Sequence, residues 1–285
     1  MTTWLITGCS SGLGRALATA VLERGWNAVV TARDPQTVSD LADAHPDTAL
    51  ALPLDVTDGA QVQAAVQAAV ERFGAVDVLV NNAGYGYRSA VEEGEDDAVR
   101  ALFDTNVHGA VAMTKAVLPG MRARRSGAVV NISSIGAQLC PPGSGYYAAT
   151  KLALEGITGS LRAELAPLGI CAVCVEPGGF RTDFAGRSLT GTSTVIDDYA
   201  ETVDARRKEN DRVHGTQLGD PALAARAIID AVRSPEPPAM LLLGSDALDA
   251  ARKTNEARRR ELESWAAVST STDVRAQDGA EGSAG

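Results

Sequence analysis

The sequence predicts an α/β fold: a doubly wound central parallel sheet of about seven strands with helices on both faces. Three observations carry this expectation. Short runs rich in β-branched residues alternate with segments of helical period, and strands spaced by helices imply right-handed βαβ crossovers. A glycine-rich turn joins the first of these runs to the first helical segment. No fixed-period repeat and no linker divides the chain, so residues 1–268 are expected to form one domain.

The strand-like runs lie at 4–7, 28–31, 49–54, 76–80, 128–132 and 170–175, with a seventh candidate at 240–243. The first helix follows the glycine turn over 15–24. Asp34-Pro35 opens the next, an N-cap followed by proline at the first helical position. From Gln61 to Phe73, Val62, Val66, Ala69, Val70 and Phe73 recur at three- and four-residue steps. Asp58 caps this segment, and Gln61 three positions later completes a capping-box pattern. Residues 180–219 are polar and less regular, and are expected to form a partly helical insertion over the C-terminal edge of the sheet. Asp220-Pro221 caps another helix, 252–265 reads as a charged helix, and 269–285 as a disordered tail.

Apolar residues make up 45% of the chain and charged residues 22%, an ordinary balance for a globular protein. The net charge of −10 argues against a nucleic-acid partner, whose phosphates would repel it. No apolar run approaches the ~20 residues of a membrane span, and the N-terminus lacks a basic leader, so a cytoplasmic protein is expected. Cys9, Cys140, Cys171 and Cys174 show no disulfide pattern. Cys171 and Cys174 are three apart on a strand and point to opposite faces, so they are expected to be buried apolar residues. His45, His108 and His214 are scattered, and no metal is expected. The clusters Arg122/Arg124/Arg125, Arg206/Arg207/Lys208 and Arg258/Arg259/Arg260 are expected to be solvated helix faces.

The first strand runs into Thr7-Gly8-Cys9-Ser10-Ser11-Gly12-Leu13-Gly14. Gly8 permits the turn, Gly12 lets backbone amides approach a pyrophosphate, and Gly14 lets the helix pack on the sheet. The helix N-terminus adds unpaired N–H groups and a partial positive charge. In a βαβ unit this pattern points to a dinucleotide-binding Rossmann domain, with contacts from Gly8, Ser10, Ser11, Gly12, Leu13 and Gly14. At the end of the second strand stand Ala32-Arg33-Asp34. Arg33 can pair with a 2′-phosphate, while Asp34 is accounted for as a helix cap, so NADP(H) is expected over NAD(H).

Tyr147 and Lys151 are four residues apart, which on a helix puts phenol and ammonium on one face. A nearby cation favours the phenolate and would bring its pKa toward neutrality. Ser134, at a strand end thirteen residues before Tyr147, can hydrogen-bond a carbonyl oxygen as charge develops on it, and Ser133 is its competitor.

Together the Thr-Gly-x-x-x-Gly-x-Gly turn and the Ser134, Tyr147 and Lys151 set resemble the short-chain dehydrogenases/reductases of the single-domain type. The resemblance covers residues 1–182 strongly and extends weakly to Trp265. It implies that Ser134 rather than Ser133 serves catalysis. It implies that Asn106 is a fourth catalytic residue, interrupting a helix and holding a water that relays protons to Lys151. It also implies cofactor contacts from Asp55 and Val56, from Asn82, Ala83 and Gly84, from Tyr147 and Lys151, and from Pro177, Gly178, Phe180 and Thr182. Phe180 departs from the usual Val or Ile, which puts the nicotinamide-side wall in question.

The expected activity is interconversion of a secondary alcohol with a ketone or aldehyde on a hydrophobic small molecule, by hydride transfer. Tyr87, Gln138, Leu139, Cys140, Tyr146, Phe180 and Phe184 are the candidate pocket residues. The pattern is most similar to the hydroxysteroid and retinol dehydrogenase branch, and a homodimer or homotetramer is expected by resemblance. Two other readings share some of these features. A sugar-nucleotide epimerase has the Tyr–Lys pair but no net cofactor consumption. An NADP-binding sensor or scaffold needs only the cofactor half of the motif set.

Overall fold

The structure is a computed structural model that describes residues 1–182, 188–212 and 215–274. In chain order its strands are β1 (Thr3–Ile6), β2 (Asn27–Ala32), β3 (Ala49–Pro53), β4 (Val78–Asn81), β5 (Gly86–Arg88), β6 (Gly127–Ile132), β7 (Ile170–Pro177), β8 (Leu189–Gly191) and β9 (Met240–Leu243). Seven of them form one sheet in the order β3-β2-β1-β4-β6-β7-β9, with every pairing parallel. The order reverses between β1 and β4, the crevice where open α/β sheets bind ligands. β5 and β8 pair separately as a small parallel ribbon that the sequence pattern did not reveal, because three residues are too few to show alternation.

The helices are α1 (Gly12–Leu22), α2 (Ser39–Ala44), α3 (Gly59–Phe73), α4 (Asp96–Phe103), α5 (Ala110–Arg124), α6 (Ile135–Leu139), α7 (Gly145–Leu165), α8 (Ala205–Arg212), α9 (Pro221–Arg233) and α10 (Ser245–Thr270). The period-two alternation of the strands divides the interior into two cores. Trp4, Ile6, Ala28, Val30, Val78 and Val80 point to one face, beneath Leu17 and Val21 of α1 and Ile228 of α9. Leu5, Val29, Leu79 and Val129 point to the other, against Val62 of α3, Met113 of α5 and Leu165 of α7.

The aspartate caps form at Asp58 and Asp220, while Asp34 caps a short 3-10 turn, Pro35–Val38, ahead of α2 rather than an α-helix. The Asp34 carboxylate accepts from Gln36 N, Asp58 from Ala60 N and Gln61 N, and Asp220 from Ala222 N and Leu223 N. Gln61 does not close a standard box: its Oε1 accepts from Asp55 N at 2.9 Å rather than from the Asp58 amide. This ties the β3 exit to the start of α3.

Two expectations need correction. Helix α10 starts at Ser245 and continues through Ser269 and Thr270, two residues into the segment read as disordered; residues 275–285 lie outside the described residues. Not all of the basic clusters are solvated. Arg207 pairs with Glu93 and Asp204 while only 21% of its side chain is exposed, and Arg124 donates to Val76 O. The helix interruption implied at Asn106 is present: a π-helical turn, Asp104–Gly109, lies between α4 and α5 and carries Asn106. Among the described residues no helix is long and apolar enough to cross a membrane.

Candidate active site

Above the C-terminal ends of β1 and β4 opens a cleft of about 1060 Å³. Its floor begins with the glycine turn. Gly8 has φ +71°, and a Cβ there would stand 2.9 Å from Ala83 Cα. Asn82 crosses from the β4 exit to hold this turn, donating through Nδ2 to Thr7 O and Gly8 O, while Thr7 Oγ1 accepts from Asn82 N and Ala83 N. Ser11 precedes α1 in extended conformation, its side chain caps nothing, and the first turn holds no acidic residue. An uncapped, acid-free helix start at a cleft is suited to an anion.

Of the expected cofactor contacts, Gly8, Ser10, Ser11, Gly12, Leu13, Arg33, Asp55, Val56, Asn82, Ala83, Gly84, Tyr147, Lys151, Pro177, Gly178, Phe180 and Thr182 all line the cleft. Gly14 does not; it sits behind the turn, packed against Asn82. At the far wall, the turn after β7 is held by α10, where Asp246 Oδ2 accepts from Gly179 N at 2.7 Å. Phe180 lines the cleft and also packs on the apolar core, its ring lying where a Cβ on Gly219 would be.

Ser134 ends β6 and caps α6: its Oγ accepts from Gly136 N at 3.0 Å and the side chain also hydrogen-bonds Tyr147. Ser133 turns inward instead, and its Oγ reaches Lys151 O and Glu155 Oε1. Tyr147 and Lys151 are one turn apart on α7, with Lys151 Nζ 5.7 Å from the centre of the Tyr147 ring. Nζ donates to Ile132 O at 2.8 Å. Burial pushes the Tyr147 phenol up to about 12, against the lowering effect of the Ser134 bond, and pushes the Lys151 ammonium down to about 8. The sequence-based expectation of a phenol lowered by its lysine is not met in the chain alone, where the loss of hydration outweighs the Ser134 hydrogen bond.

Asn106 is buried within the π-helical turn. Its Nδ2 donates to Tyr85 O at 2.9 Å and Thr150 Oγ1 at 3.1 Å, and its Oδ1 accepts from Tyr85 N at 3.0 Å. Both amide hydrogens are thus engaged within the protein. The residue fixes the β4–β5 loop against α7, and it does not itself line the cleft.

The candidate pocket residues divide. Tyr87 and Phe180 line the cleft. Gln138 does not: it is buried against Glu176. Leu139 is 45% exposed, Cys140 is exposed, and Tyr146 is tied by its hydroxyl to Val91 O, none of them on the cleft. Phe184 lies outside the described residues. Sequence reasoning missed Tyr85, Glu95, Ala98, Ala101, Thr190 and Gln217, which all face the cleft. They come from loops, the α4 face and β8, where no motif marks them.

A family model described as short chain dehydrogenase matches residues 2–192, which span β1 through β8 and every catalytic candidate. The chain belongs to the short-chain dehydrogenase family. It is an oxidoreductase of that family. It is 38% identical over 267 residues to the oxidoreductase BOA17 of Botryotinia fuckeliana, covering 93% of this chain and 97% of that one. A short-chain dehydrogenase from Streptomyces avermitilis superposes with a TM-score of 0.89 at 43% identity, over 96% of this chain and 100% of that one. Two further solved structures hold a nicotinamide nucleotide. One from Burkholderia phymatum, in complex with NAD, gives a TM-score of 0.79 at 25% identity over 92% of this chain and 94% of that one. The other, ElxO with NADP bound, gives 0.72 at 26% over 87% and 99%.

The insertion of this dehydrogenase is anchored to the cleft rim by three carboxylates: Glu95 Oε1 accepts from Ser193 N and Ser193 Oγ, Glu92 Oε2 accepts from Tyr199 Oη, and Glu93 is the buried one. Glu93, 2% exposed, accepts from Ala90 N, Ile196 N and Arg207 Nη2 at 2.7–3.0 Å. Burial opposes its ionisation, but these amides and the guanidinium hold its carboxyl below the usual range. Replacing Glu93 with Ala leaves a part-buried Arg207 and two amides without their acceptor, a local cost of about 3 kcal/mol. Limited proteolysis is expected to cut within 188–212 in Glu93→Ala well before the parent is cut there. Equal cleavage rates would show that the anchor does not hold the insertion.

Proposed function

We propose that this dehydrogenase interconverts a secondary alcohol and a ketone, or an aldehyde and its alcohol, on a hydrophobic small molecule, using a nicotinamide cofactor with NADP(H) favoured. The observation that carries the reading is the meeting of Tyr147, Ser134 and Lys151 on one wall of the cleft that opens, at its other end, on the uncapped start of α1. The cleft residues fit the cofactor. The turn from Gly8 to Leu13 would hold the pyrophosphate, Asp55 and Val56 the adenine, and Asn82, Ala83 and Gly84 would pass beneath the middle. Pro177, Gly178, Phe180 and Thr182 would border the nicotinamide. Bound there, the nicotinamide supplies a hydride to the carbonyl carbon or accepts one from the alcohol.

The chain's own groups handle the oxygen. Ser134 Oγ donates to the carbonyl oxygen and fixes its position as negative charge grows. Tyr147 Oη gives its proton to that oxygen in reduction and takes it back in oxidation. Lys151, held by Ile132 O, keeps a positive charge near the phenol. Tyr87, Ala98 and Ala101 give the substrate end apolar surface, and Glu95, Thr190 and Gln217 give it polar points. A substrate panel followed by NADPH absorbance tests the activity: consumption with a carbonyl supports it, and tight binding without consumption favours a sensor.

Support for NADP(H) comes from the end of β2. Arg33 is exposed on the cleft and has no ion-pair partner among the described residues, whereas Asp34 is engaged by Gln36 N. Arg33→Ala is expected to raise the NADP KM by about tenfold to thirtyfold, the worth of one charged hydrogen-bonding pair, with little effect on NAD. Equal effects on both would remove the assignment. By family resemblance the protein is proposed to assemble as a homodimer or homotetramer, which light scattering measures directly.

A further inference from the structure

Behind the catalytic wall lies a second cluster that the reaction at Tyr147 does not touch. Glu155, one turn after Lys151 on α7, meets Glu176 and Cys174 of β7, and the three ligand-type atoms lie within 4.8 Å of one another. Glu176 is fully buried. Its Oε2 accepts from Gln138 Nε2, but its Oε1 meets no donor among the described protein groups. Glu155 Oε1 accepts from Ser133 Oγ at 2.9 Å. The two carboxyl groups face each other, with a carboxylate oxygen of each within 4.8 Å of the other. Two ionised carboxylates this close and out of water repel each other, which favours one proton held between them.

We propose that Glu155 and Glu176 share one proton and act as a single carboxylic dyad that positions the end of β6 against α7 for the reaction at Tyr147. The path is short. Glu155 holds Ser133, Ser133 also touches the Lys151 carbonyl, and the next residue is Ser134, whose hydroxyl bonds Tyr147. The dyad therefore sets the spacing between the residues that orient the substrate oxygen and the residue that protonates it. It is a positioning unit, and its role rests on the reading of Ser134 and Tyr147 given above.

The charged and titratable groups facing the pair are Lys151 on α7, the Cys174 thiol on β7 and Arg258 on α10, which also donates to Gln138 O. Burial, then the neighbouring Glu155, push the Glu176 carboxyl up to about 7, and burial raises Glu155. The pair then titrates as a unit. Loss of the shared proton above neutrality places two like charges in contact and loosens the Ser133 tether. The sign for stability follows from the raised folded-state value. The stabilising contribution is full below the ordinary carboxylate range and is lost as pH rises through about 7.

The test uses the full-length protein with three substitutions. The amide in Glu176→Gln can donate to Glu155 permanently, replacing the shared proton. This variant is expected to keep kcat near that of the parent at pH 6 and to lose the decline above pH 7, in both activity and thermal midpoint. Glu176→Ala breaks the pair and is expected to lower kcat by about tenfold or more at every pH, since small misplacements of reacting groups are costly. Its cofactor Kd should stay unchanged. Tyr147→Phe is the reference for the underlying reading. If Tyr147→Phe is fully active, the reaction assignment fails. If Tyr147→Phe is inactive but Glu176→Gln keeps the parent pH profiles of kcat and melting, the dyad fails alone. Stoichiometric divalent metal in the purified protein, lost in Glu176→Gln, would put a cation in place of the proton and also overturn the proposal.

Discussion

Tyr147→Phe is expected to lower kcat by about a thousandfold, the usual contribution of a positioned general acid or base. The substitution removes one oxygen and leaves the ring that packs on the cleft wall. NADPH affinity, measured by fluorescence titration, should remain within about twofold, because phosphate and ribose contacts carry most of a dinucleotide's binding. The parent should also show opposite pH behaviour in the two directions. Reduction needs the phenol protonated, and burial holds it so across the neutral range. Oxidation needs the phenolate, so its rate should climb as pH rises from 7 toward 9. Lys151, pushed down to about 8, loses its charge over the same interval and should flatten that climb at its upper end. Retained turnover in Tyr147→Phe would rule out the assigned proton donor.

Gly14→Val is expected to destabilise the fold by about 3 kcal/mol or more, the upper range for forcing atoms into a filled core. An ideal Cβ at Gly14 stands 2.5 Å from Gly8 O, a backbone atom, and 2.3 Å from Asn82 Nδ2. Neither can yield cheaply. Gly8 O accepts from the same Asn82 amide, and Asn82 is the brace between the β1 turn and the β4 exit. The thermal midpoint should fall, and NADPH should bind weakly even at temperatures where the variant is folded, because α1 is pushed off the turn whose amides face the cleft. Gly59→Ala is the control. A Cβ there meets nothing within 4 Å, so the same measurements should change little. A Gly14→Val variant with normal melting and normal NADPH affinity would contradict the packing role.

Much of this architecture is legible in the chain because it depends on local rules. The alternation that splits Trp4 and Ile6 from Leu5 also sorts Val30 from Val29, and this places helices on both faces of the sheet. Asp58 and Asp220 cap the helices they precede, and Asp34 the 3-10 turn before α2, because a carboxylate two or three residues from free amides needs no distant partner. The Tyr147–Lys151 spacing likewise follows from helical geometry alone.

What the chain alone left open depends on contacts between distant residues. Ser133 and Ser134 are adjacent and chemically identical, and only the packing of α7 on β6 turns one toward Glu155 and the other toward Tyr147. Gln138 looked like a pocket residue until Glu176, thirty-eight positions away, drew it inward. The Tyr147 phenol could not be placed on the pH scale from a neighbouring lysine, since its hydration is stripped away by the whole surrounding fold. Sequence by itself determined the strand and helix types, the helix caps and the glycine turn, because these are set by residues within a few positions of each other. Tertiary structure alone decided the cleft lining, the charge states and the buried carboxyl pair, because burial and electrostatics sum over every neighbour that the folded chain brings near.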